Sequence, residues 1–266
     1  MGSKRIVLEA QDLIYEIGGR RIINGVSLAF QEATFYSIVG PNGCGKTTLL
    51  DLLSGVRKPT SGEIKLYGTE LTEMSQRDIA RAISLMPQSF DVSFDFYVYE
   101  VLLMGRYPYK GRFSSFDDRD FKMVEKVVQE LNLRGVVNRR ITCLSGGERQ
   151  RSIFGRVLVQ DTPIVFLDEA TSNLDPYYRY AMLDKVYEMT RRKGITVVSV
   201  FHDLSLASLY GDHVLMMKDG RIVYQGSRER VLTPENIKDV FGIDVKLLKD
   251  SETGIACLIP VRDKGG

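Results

Sequence analysis

The chain has 266 residues, 44% of them hydrophobic and 26% charged, as expected for a globular protein with one or two structural units and a well-buried core. Its 36 basic and 34 acidic residues nearly cancel, so charge gives no support for a nucleic-acid partner. Three separated cysteines, Cys44, Cys143 and Cys257, contain no C-x-x-C pair, so we expect neither a zinc site nor disulfides, and a reducing cytosol fits best.

The first third of the chain predicts short strands joined by tight turns. The strand candidates are "RIVLEA", "DLIYEIGG", "RIINGVSLAF" and "TFYSIVG", and they are followed by a helix from about Gly45 and the strand "GEIKLYG". Residues 71 to 88 predict a short helix and the strand "ISLMPQ". We expect the N-terminal strands to form an antiparallel β subdomain.

The segment that begins at residue 89 carries few strand signals. Phe121, Val124, Val128 and Leu131 recur there at helical spacing, so we expect an inserted helical subdomain over about residues 89–150. After it, strands and helices alternate: "PIVFLDE", a helix from about Pro176, "GITVVSV", a helix from about Asp203, and a hairpin around residues 218–220. Alternation of this kind predicts an α/β body with a mainly parallel sheet and crossover helices.

The stretch "GPNGCGKTT" lies between a predicted strand and a predicted helix and fits the P-loop pattern G-x-x-x-x-G-K-[ST]. In this pattern, backbone N–H groups surround the phosphates, Lys46 reaches the β- and γ-phosphates, and the Thr47 hydroxyl ligates Mg²⁺. The alternative is a chance glycine-rich turn. The predicted nucleotide-binding residues are Gly40, Pro41, Asn42, Gly43, Cys44, Gly45, Lys46, Thr47 and Thr48. Cys44 is either a small filler or a thiolate favoured by the adjacent helix N-terminus.

The apolar strand "PIVFLDEA" ends in two acids that alternation should point to opposite faces. We therefore expect separate roles, with Asp168 holding Mg²⁺ and Glu169 polarising the attacking water. Two other strands end in polar residues, His202 after "ITVVSV" and Gln88 after "ISLMP". His202 could contact a γ-phosphate and Gln88 could sense Mg²⁺ or the water, although either residue alone is also compatible with a structural role. We interpret His213 as structural.

The stretch "LSGGERQ" places two glycines in the first turn of a predicted helix, where each glycine costs ~1 kcal/mol relative to alanine. Ser145 and Glu148 already form a capping box, so the helix start does not require the two glycines. A small polar loop before a helix has free N–H groups that suit an anion. We therefore expect Ser145, Gly146 and Gly147 to offer an anion a hydroxyl, backbone donors and a helix N-terminus, and glycine permits a close backbone approach to it.

Taken together and in order, these motifs resemble the nucleotide-binding subunits of ATP-binding cassette transporters over nearly the whole chain. "GPNGCGKTT" is similar to their Walker A loop, Gln88 to the Q-loop, "LSGGERQ" to the signature and "IVFLDE" to the Walker B strand. "SNLD" at residues 172–175 is similar to the D-loop and His202 to the switch histidine. Tyr15, 25 residues before Gly40, matches the adenine-stacking aromatic, with strand packing as the alternative. Two departures are Ala170, where a proline is usual, and "FGRVLVQ", where an "ARAL" pattern is commoner.

The resemblance implies an α/β P-loop NTPase core with the antiparallel β and helical subdomains, forming a cassette over residues 1–250 with a short tail at 251–266. It implies a homodimer that sandwiches two ATP with Mg²⁺, the signature of one copy covering the γ-phosphate held by the other. The implied partners are integral-membrane permease subunits and, indirectly, a substrate-binding protein. No apolar run approaches the ~18 residues of a transmembrane helix, so we expect any membrane link to come through a partner. The resemblance implies that the chain is a peripheral protein on the cytoplasmic face of the membrane.

The cargo is open to two interpretations. The stretch from "VLLMGRYP" through "CLSGGERQR", together with "FHDLSLASLYGD", resembles subunits of importers for iron chelates (iron-siderophore complexes), haem or cobalamin. Zinc and manganese importers have similar segments, and a non-transport ATP-binding cassette switch protein is a further alternative. A cluster of aromatic residues predicts an exposed surface for the membrane subunits, with core packing as the alternative: Phe90, Phe94, Phe96, Tyr97, Tyr99, Tyr107, Tyr109, Phe113 and Phe116.

Overall fold

An antiparallel sheet forms the N-terminal part of the computed structural model, which describes residues 4–88, 95–111, 114–171, 174–249 and 256–261. Its strands are β1 (Ile6–Ile17), β2 (Arg20–Gln31), β4 (Ser61–Leu66) and β5 (Thr69–Glu70), in the order β2-β1-β4-β5. The predicted strands "RIVLEA" and "DLIYEIGG" are in fact one strand, β1. It has a bulge between Ala10 and Leu13, where Asp12 has a φ of 48°. This sheet confirms the predicted antiparallel subdomain.

A second, six-stranded sheet forms the core of the chain. It comprises β3 (Phe35–Val39), β6 (Ile83–Met86), β7 (Ile164–Asp168), β8 (Thr196–Val200), β9 (His213–Lys218) and β10 (Arg221–Ser227), in the order β10-β9-β3-β8-β7-β6. Neighbouring strands run parallel except for the β9–β10 hairpin. Strands β3, β7 and β8 are buried along their whole length, as continuous apolar runs predict for parallel strands covered on both faces. The mainly parallel α/β core is confirmed.

The helices cover both faces of this sheet and form the insertion. In chain order they are α1 (Lys46–Leu53), α2 (Gln76–Ala82), α3 (Val98–Met104), α4 (Asp118–Glu130), α5 (Gly146–Gln160), α6 (Pro176–Lys193), α7 (Leu204–Tyr210), α8 (Arg228–Val231) and α9 (Pro234–Phe241). Helices α3 and α4 pack on α5, inside the predicted helical segment. Among the described residues, none of the helices has both the length and the apolar composition needed to cross a bilayer.

The crossing of α3 and α5 depends on Gly105, the residue that follows α3. A Cβ there would lie 2.5 Å from the carbonyl oxygen of Arg156 and 3.0 Å from the backbone nitrogen of Gln160. Because these are backbone atoms of a packed helix, they cannot move aside as a side chain could. Gly105 therefore sets how closely the insertion approaches α5.

We expect Gly105→Ala to lower the free energy of unfolding by about 1–3 kcal/mol, the usual cost of overpacking. Urea denaturation measures the change. Gly135→Ala is the matched control, because a Cβ on this exposed glycine meets none of the described residues within 4 Å. The control should change stability by less than about 0.5 kcal/mol. Equal stability of the two variants would contradict the close crossing.

A C-terminal hairpin follows the core, formed by β11 (Val245–Lys249) and β12 (Ala256–Pro260). Val245 and Leu258 are buried, and β12 packs against α7. The boundary expected between cassette and tail at residue 250 therefore falls between two paired strands. That boundary stays a prediction.

Candidate functional site

The phosphate-loop sequence forms a tight connection between β3 and α1. Gly45 precedes the helix with a φ of 105°, and a Cβ on it would lie 2.9 Å from the carbonyl oxygen of Ile22. Glycine is therefore required here, both by the backbone conformation and by the close approach to β2. The buried Lys46 Nζ donates to the carbonyl oxygens of Gly40 at 2.9 Å and Pro41 at 3.0 Å, which holds the loop closed.

An open cleft of about 440 Å³ lies over this loop. Its size is within the range of small-molecule sites. The cleft is lined by Ile22, Asn42, Gly43, Gly45, Lys46, Thr47, Thr48, Gln88, Glu169 and His202. All of these except Ile22 were predicted from the sequence. The convergence follows from topology, since β3, β6, β7 and β8 are parallel and the residues after each strand meet at one edge of the sheet.

Glu169 lies at the centre of the polar groups in this cleft. Gln88 Nε2 donates to its Oε2 at 2.5 Å, and His202 Nε2 contacts its Oε1. Its φ of 48° is uncommon for a residue other than glycine and is typical of strained functional sites. The three predicted catalytic residues therefore meet, with both carboxylate oxygens of Glu169 engaged.

Asp168 is the last residue of β7, and it has different partners from Glu169, which follows the strand with a left-handed φ rather than continuing the strand alternation. Asp168 is 2% exposed, and burial, together with the negative charges of Glu169 and Asp51, raises its pKa to about 6. A hydrogen bond with Thr47 opposes this shift in pKa. Asp168 Oδ1 is buried and has no hydrogen-bond partner among the described residues. A buried carboxylate oxygen without a partner, beside a hydroxyl, suits a hard cation such as Mg²⁺.

Asp168→Asn is expected to stabilise the metal-free chain at about pH 7.5 by about 1–2 kcal/mol, because it removes a buried negative charge. The raised pKa means that the folded chain binds more protons than the unfolded chain between about pH 4 and pH 6, so parental stability falls as pH rises through this window. Thermal unfolding in EDTA measures the difference, which should vanish near pH 4. The variant should also lose the additional stabilisation that Mg²⁺ gives with ATP. Equal stability of parent and variant at the higher pH would contradict this account.

The signature sequence forms the start of α5. Ser145 Oγ accepts from the Glu148 backbone N–H at 3.3 Å, and Glu148 Oε2 accepts from the Ser145 backbone N–H at 2.9 Å, so the predicted capping box is present. The backbone N–H and the hydroxyl of Ser145 both donate to the Glu148 carboxylate, and these two hydrogen bonds lower the pKa of Glu148. A Cβ on Gly146 meets none of the described residues within 4 Å, and one on Gly147 meets only Leu174 Cδ2 at 3.8 Å. Neither glycine has a positive φ.

Neither the backbone conformation nor the packing of the described residues therefore requires glycine at positions 146 and 147. None of the four signature residues, Ser145 to Glu148, is among the residues that line the cleft of the same chain. This arrangement agrees with the expectation that the signature contacts an anion outside its own chain.

Tyr15 is not among the residues that line the cleft, and neither are Gly40, Pro41 and Cys44 of the phosphate loop or Asp168. The Tyr15 hydroxyl accepts from Arg57 Nη1 at 3.2 Å, and the same guanidinium lies 2.8 Å from Asp51. The base contact expected of Tyr15 stays a prediction. Ile22 is the cleft residue that the sequence did not indicate, because it looks like any other apolar residue of a strand.

Cys44 is buried in the phosphate loop, and burial raises the pKa of its thiol. The expectation of a thiolate at the helix N-terminus is therefore wrong, because desolvation outweighs the nearby positive charge of Lys46. A Cβ on Gly40 would lie 2.8 Å from the sulfur, which supports the alternative of a small filler.

The six described members of the aromatic cluster divide between packing and exposure. Phe96, Tyr99 and Phe116 are partly buried against the core. Tyr97 and Tyr107 remain 42% and 58% exposed. Tyr109 donates its hydroxyl hydrogen to the Gln160 carbonyl at 2.8 Å. The remaining members, Phe90, Phe94 and Phe113, lie outside the described residues, as do Ser172 and Asn173 of the predicted D-loop.

The sequence is similar to ATP-binding proteins of import systems. Residues 23–172 match the family model described as ABC transporter. The cobalamin import ATP-binding protein BtuD of Halobacterium salinarum is 34% identical, over 97% of this chain and 65% of that protein. The ferric enterobactin transport ATP-binding protein FepC of Escherichia coli K12 is 32% identical, over 96% of this chain and 94% of FepC. The hemin import ATP-binding protein HmuV of Escherichia coli O157:H7 is 35% identical, over 92% of this chain and 95% of HmuV.

The fold is similar to solved transporter cassettes. An inward-facing metal-chelate type ABC transporter has a TM-score of 0.83 at 24% identity, over 97% of this chain and 99% of the compared chain. Dimeric MJ0796, a bacterial ABC transporter cassette, has a TM-score of 0.75 at 25% identity, over 83% of this chain and 98% of the compared chain. The first likeness concerns the fold alone. It agrees with the P-loop core and the two subdomains described above.

Proposed function

The chain belongs to the ABC transporter family, and we propose that it is the subunit that binds and hydrolyses ATP to power a membrane importer. The observation that carries this proposal is the meeting of the phosphate loop, Gln88, Glu169 and His202 in one cleft beside the buried Asp168. A loop that binds phosphates, a site for Mg²⁺ and a carboxylate that can orient water are the parts that ATP hydrolysis needs.

The residues of the cleft divide the chemistry between them. Backbone N–H groups of the loop and the Lys46 ammonium would bind the phosphates, while Asp168 and Thr47 would hold Mg²⁺, with Gln88 nearby. Bound Mg²⁺ supplies positive charge that neutralises the triphosphate. Glu169 accepts a hydrogen bond from the attacking water and polarises it. Gln88 and His202 engage one oxygen each of Glu169, so the carboxylate has a defined orientation before substrate arrives.

We propose that two copies of the chain act together as a homodimer. The Ser145–Glu148 turn does not line the cleft of its own chain, and its glycines are unexplained by the described residues of a single copy. In a head-to-tail pair, this turn would offer a hydroxyl, backbone donors and a helix N-terminus to the ATP of the other copy. Hydrolysis would separate the copies and shift the conformational equilibrium of the attached membrane subunits.

The proposed cargo is an iron-siderophore complex, haem or cobalamin. The support is the group of relatives named for import of cobalamin, ferric enterobactin and hemin. The chain spans 65% of the length of the cobalamin relative, so activity, cargo and partners are all part of this proposal. The proposed partners are permease subunits, which would hold the chain on the cytoplasmic face of the membrane, and indirectly a substrate-binding protein. A zinc or manganese importer is the second candidate.

The test measures ATP hydrolysis, assembly with membrane subunits and transport. The purified chain should hydrolyse Mg-ATP, and it should copurify with integral-membrane subunits from detergent-solubilised membranes of its own source. Proteoliposomes of that complex should then take up a ferric siderophore, haem or cobalamin in an ATP-dependent manner. Uptake of Zn²⁺ or Mn²⁺ alone would favour the second candidate. Absence of hydrolysis by both the chain and the complex would refute the ATPase assignment.

A further inference from the structure

Gln150 connects the signature helix to the turn that carries Glu169. Its Nε2 donates to the carbonyl oxygen of Ala170, the residue directly after Glu169. Both residues are buried, with Gln150 7% and Ala170 4% exposed. The contact therefore joins α5 to the end of β7 in the interior of the chain.

Packing alone does not explain this glutamine. Gln150 Oε1 is buried and has no hydrogen-bond partner among the described residues. A buried amide that is only half satisfied lowers stability, whereas an apolar side chain of similar size would fill the same space without that penalty. A buried polar group of this kind indicates a role other than stability.

The geometry of α5 indicates what that role is. Gln150 lies five residues after Ser145, about 7.5 Å along the helix axis from the predicted anion contact. The other end of the helix is fixed to the core, because Gln160 Nε2 donates to the carbonyls of Ala80 at 2.6 Å and Ile83 at 3.1 Å. If the signature turn were displaced, α5 would pivot about this fixed end, and Gln150 would move more than Gln160.

We propose that Gln150 is a positioning residue that links the signature turn of a chain to Glu169 of the same chain. This inference rests on the proposed function, in which Ser145 contacts ATP held by the other copy. Docking of that ATP would shift the start of α5, and Gln150 would carry the Ala170 carbonyl and the Glu169 backbone with it. Each chain would thus adjust its own hydrolytic carboxylate in response to the ATP bound by its partner. Such coupling acts in both directions between the two sites.

The experiment replaces Gln150 with side chains that cannot donate a hydrogen bond. Gln150→Met keeps the length of the side chain, and Gln150→Leu is a second variant should the first fail to fold. We expect unchanged ATP affinity of the monomer, about a tenfold loss of kcat, and a Hill coefficient for ATP hydrolysis that falls below that of the parent. The Hill coefficient is the decisive measurement, because a merely structural role would not change it.

Gln160→Met is the matched control, since it removes a glutamine that also donates from α5 to backbone carbonyls but lies far from Glu169. It should retain the Hill coefficient of the parent. The inference is overturned if a folded Gln150 variant keeps that coefficient, if Gln160→Met lowers it equally, or if the parent hydrolyses ATP with a coefficient of one. A parent that hydrolyses no ATP refutes the proposed function itself, and with it the inference.

Discussion

Glu169→Gln is expected to lower ATP turnover about 10²–10³-fold while ATP binding persists. The amide keeps the shape of the side chain and can still accept a hydrogen bond from Gln88, but it has lost the negative charge that polarises water. ATP should therefore remain bound and hold two copies together. Size-exclusion chromatography with Mg-ATP should show a dimer, and a phosphate-release assay should show the loss of turnover.

The matched control for this variant is Glu130→Gln. Glu130 pairs with Lys185 at 2.9 Å and is not among the residues that line the cleft, so its substitution should leave turnover within about twofold of the parent. If Glu169→Gln also stays within this range, the polarising group is another residue, and the assignment of Glu169 fails.

Gly147→Asp is expected to lower ATP turnover at least about 10²-fold without unfolding the chain. A Cβ at this position makes only an ordinary contact with Leu174, and an acid in the first turn of a helix is favourable. The variant should thus unfold at or above the parental temperature and bind ATP as a monomer with parental affinity. The added negative charge would face the partner's γ-phosphate, where like charges repel.

Gly135→Asp introduces the same acid at an exposed glycine outside the signature and should hydrolyse ATP at the parental rate. Thermal unfolding, equilibrium nucleotide binding and turnover are compared for parent and both variants. Loss of nucleotide binding by the Gly147→Asp monomer would show that the signature acts on the ATP of its own chain. Normal turnover would show that it acts on no ATP.

The sequence was sufficient for the parts of the site that depend on local pattern. The spacing of the phosphate loop predicts Lys46 and Thr47, and the ends of buried strands predict Gln88, Glu169 and His202. Parallel strands then bring these ends together, so the cleft follows from strand order without knowledge of side-chain contacts. The separate roles expected of Asp168 and Glu169 stay a prediction, because Glu169 follows β7 with a φ of 48° and strand alternation does not extend to it.

The contacts that the sequence did not predict join residues from distant segments. Arg57 contacts Tyr15 across 42 positions, and Gln150 contacts the Ala170 carbonyl across 20. No periodicity marks such pairs. The raised pKa of the Cys44 thiol could not be predicted from the sequence either, because it depends on how deeply the folded loop buries the side chain. Among the aromatics, composition could not distinguish the exposed Tyr97 from the partly buried Phe96 beside it.

The closure of the phosphate loop by Lys46 has a consequence for what happens between successive catalytic cycles. A buried ammonium with no acceptor would be costly, and the departure of product could leave Lys46 in that condition. The carbonyl oxygens of Gly40 and Pro41 accept hydrogen bonds from the Lys46 ammonium instead, in the place of phosphate oxygens. In the proposed ATPase, the loop would therefore keep its conformation when the nucleotide leaves. Incoming ATP has to exchange two hydrogen bonds but does not have to fold the loop, so binding should need little reorganisation of the backbone.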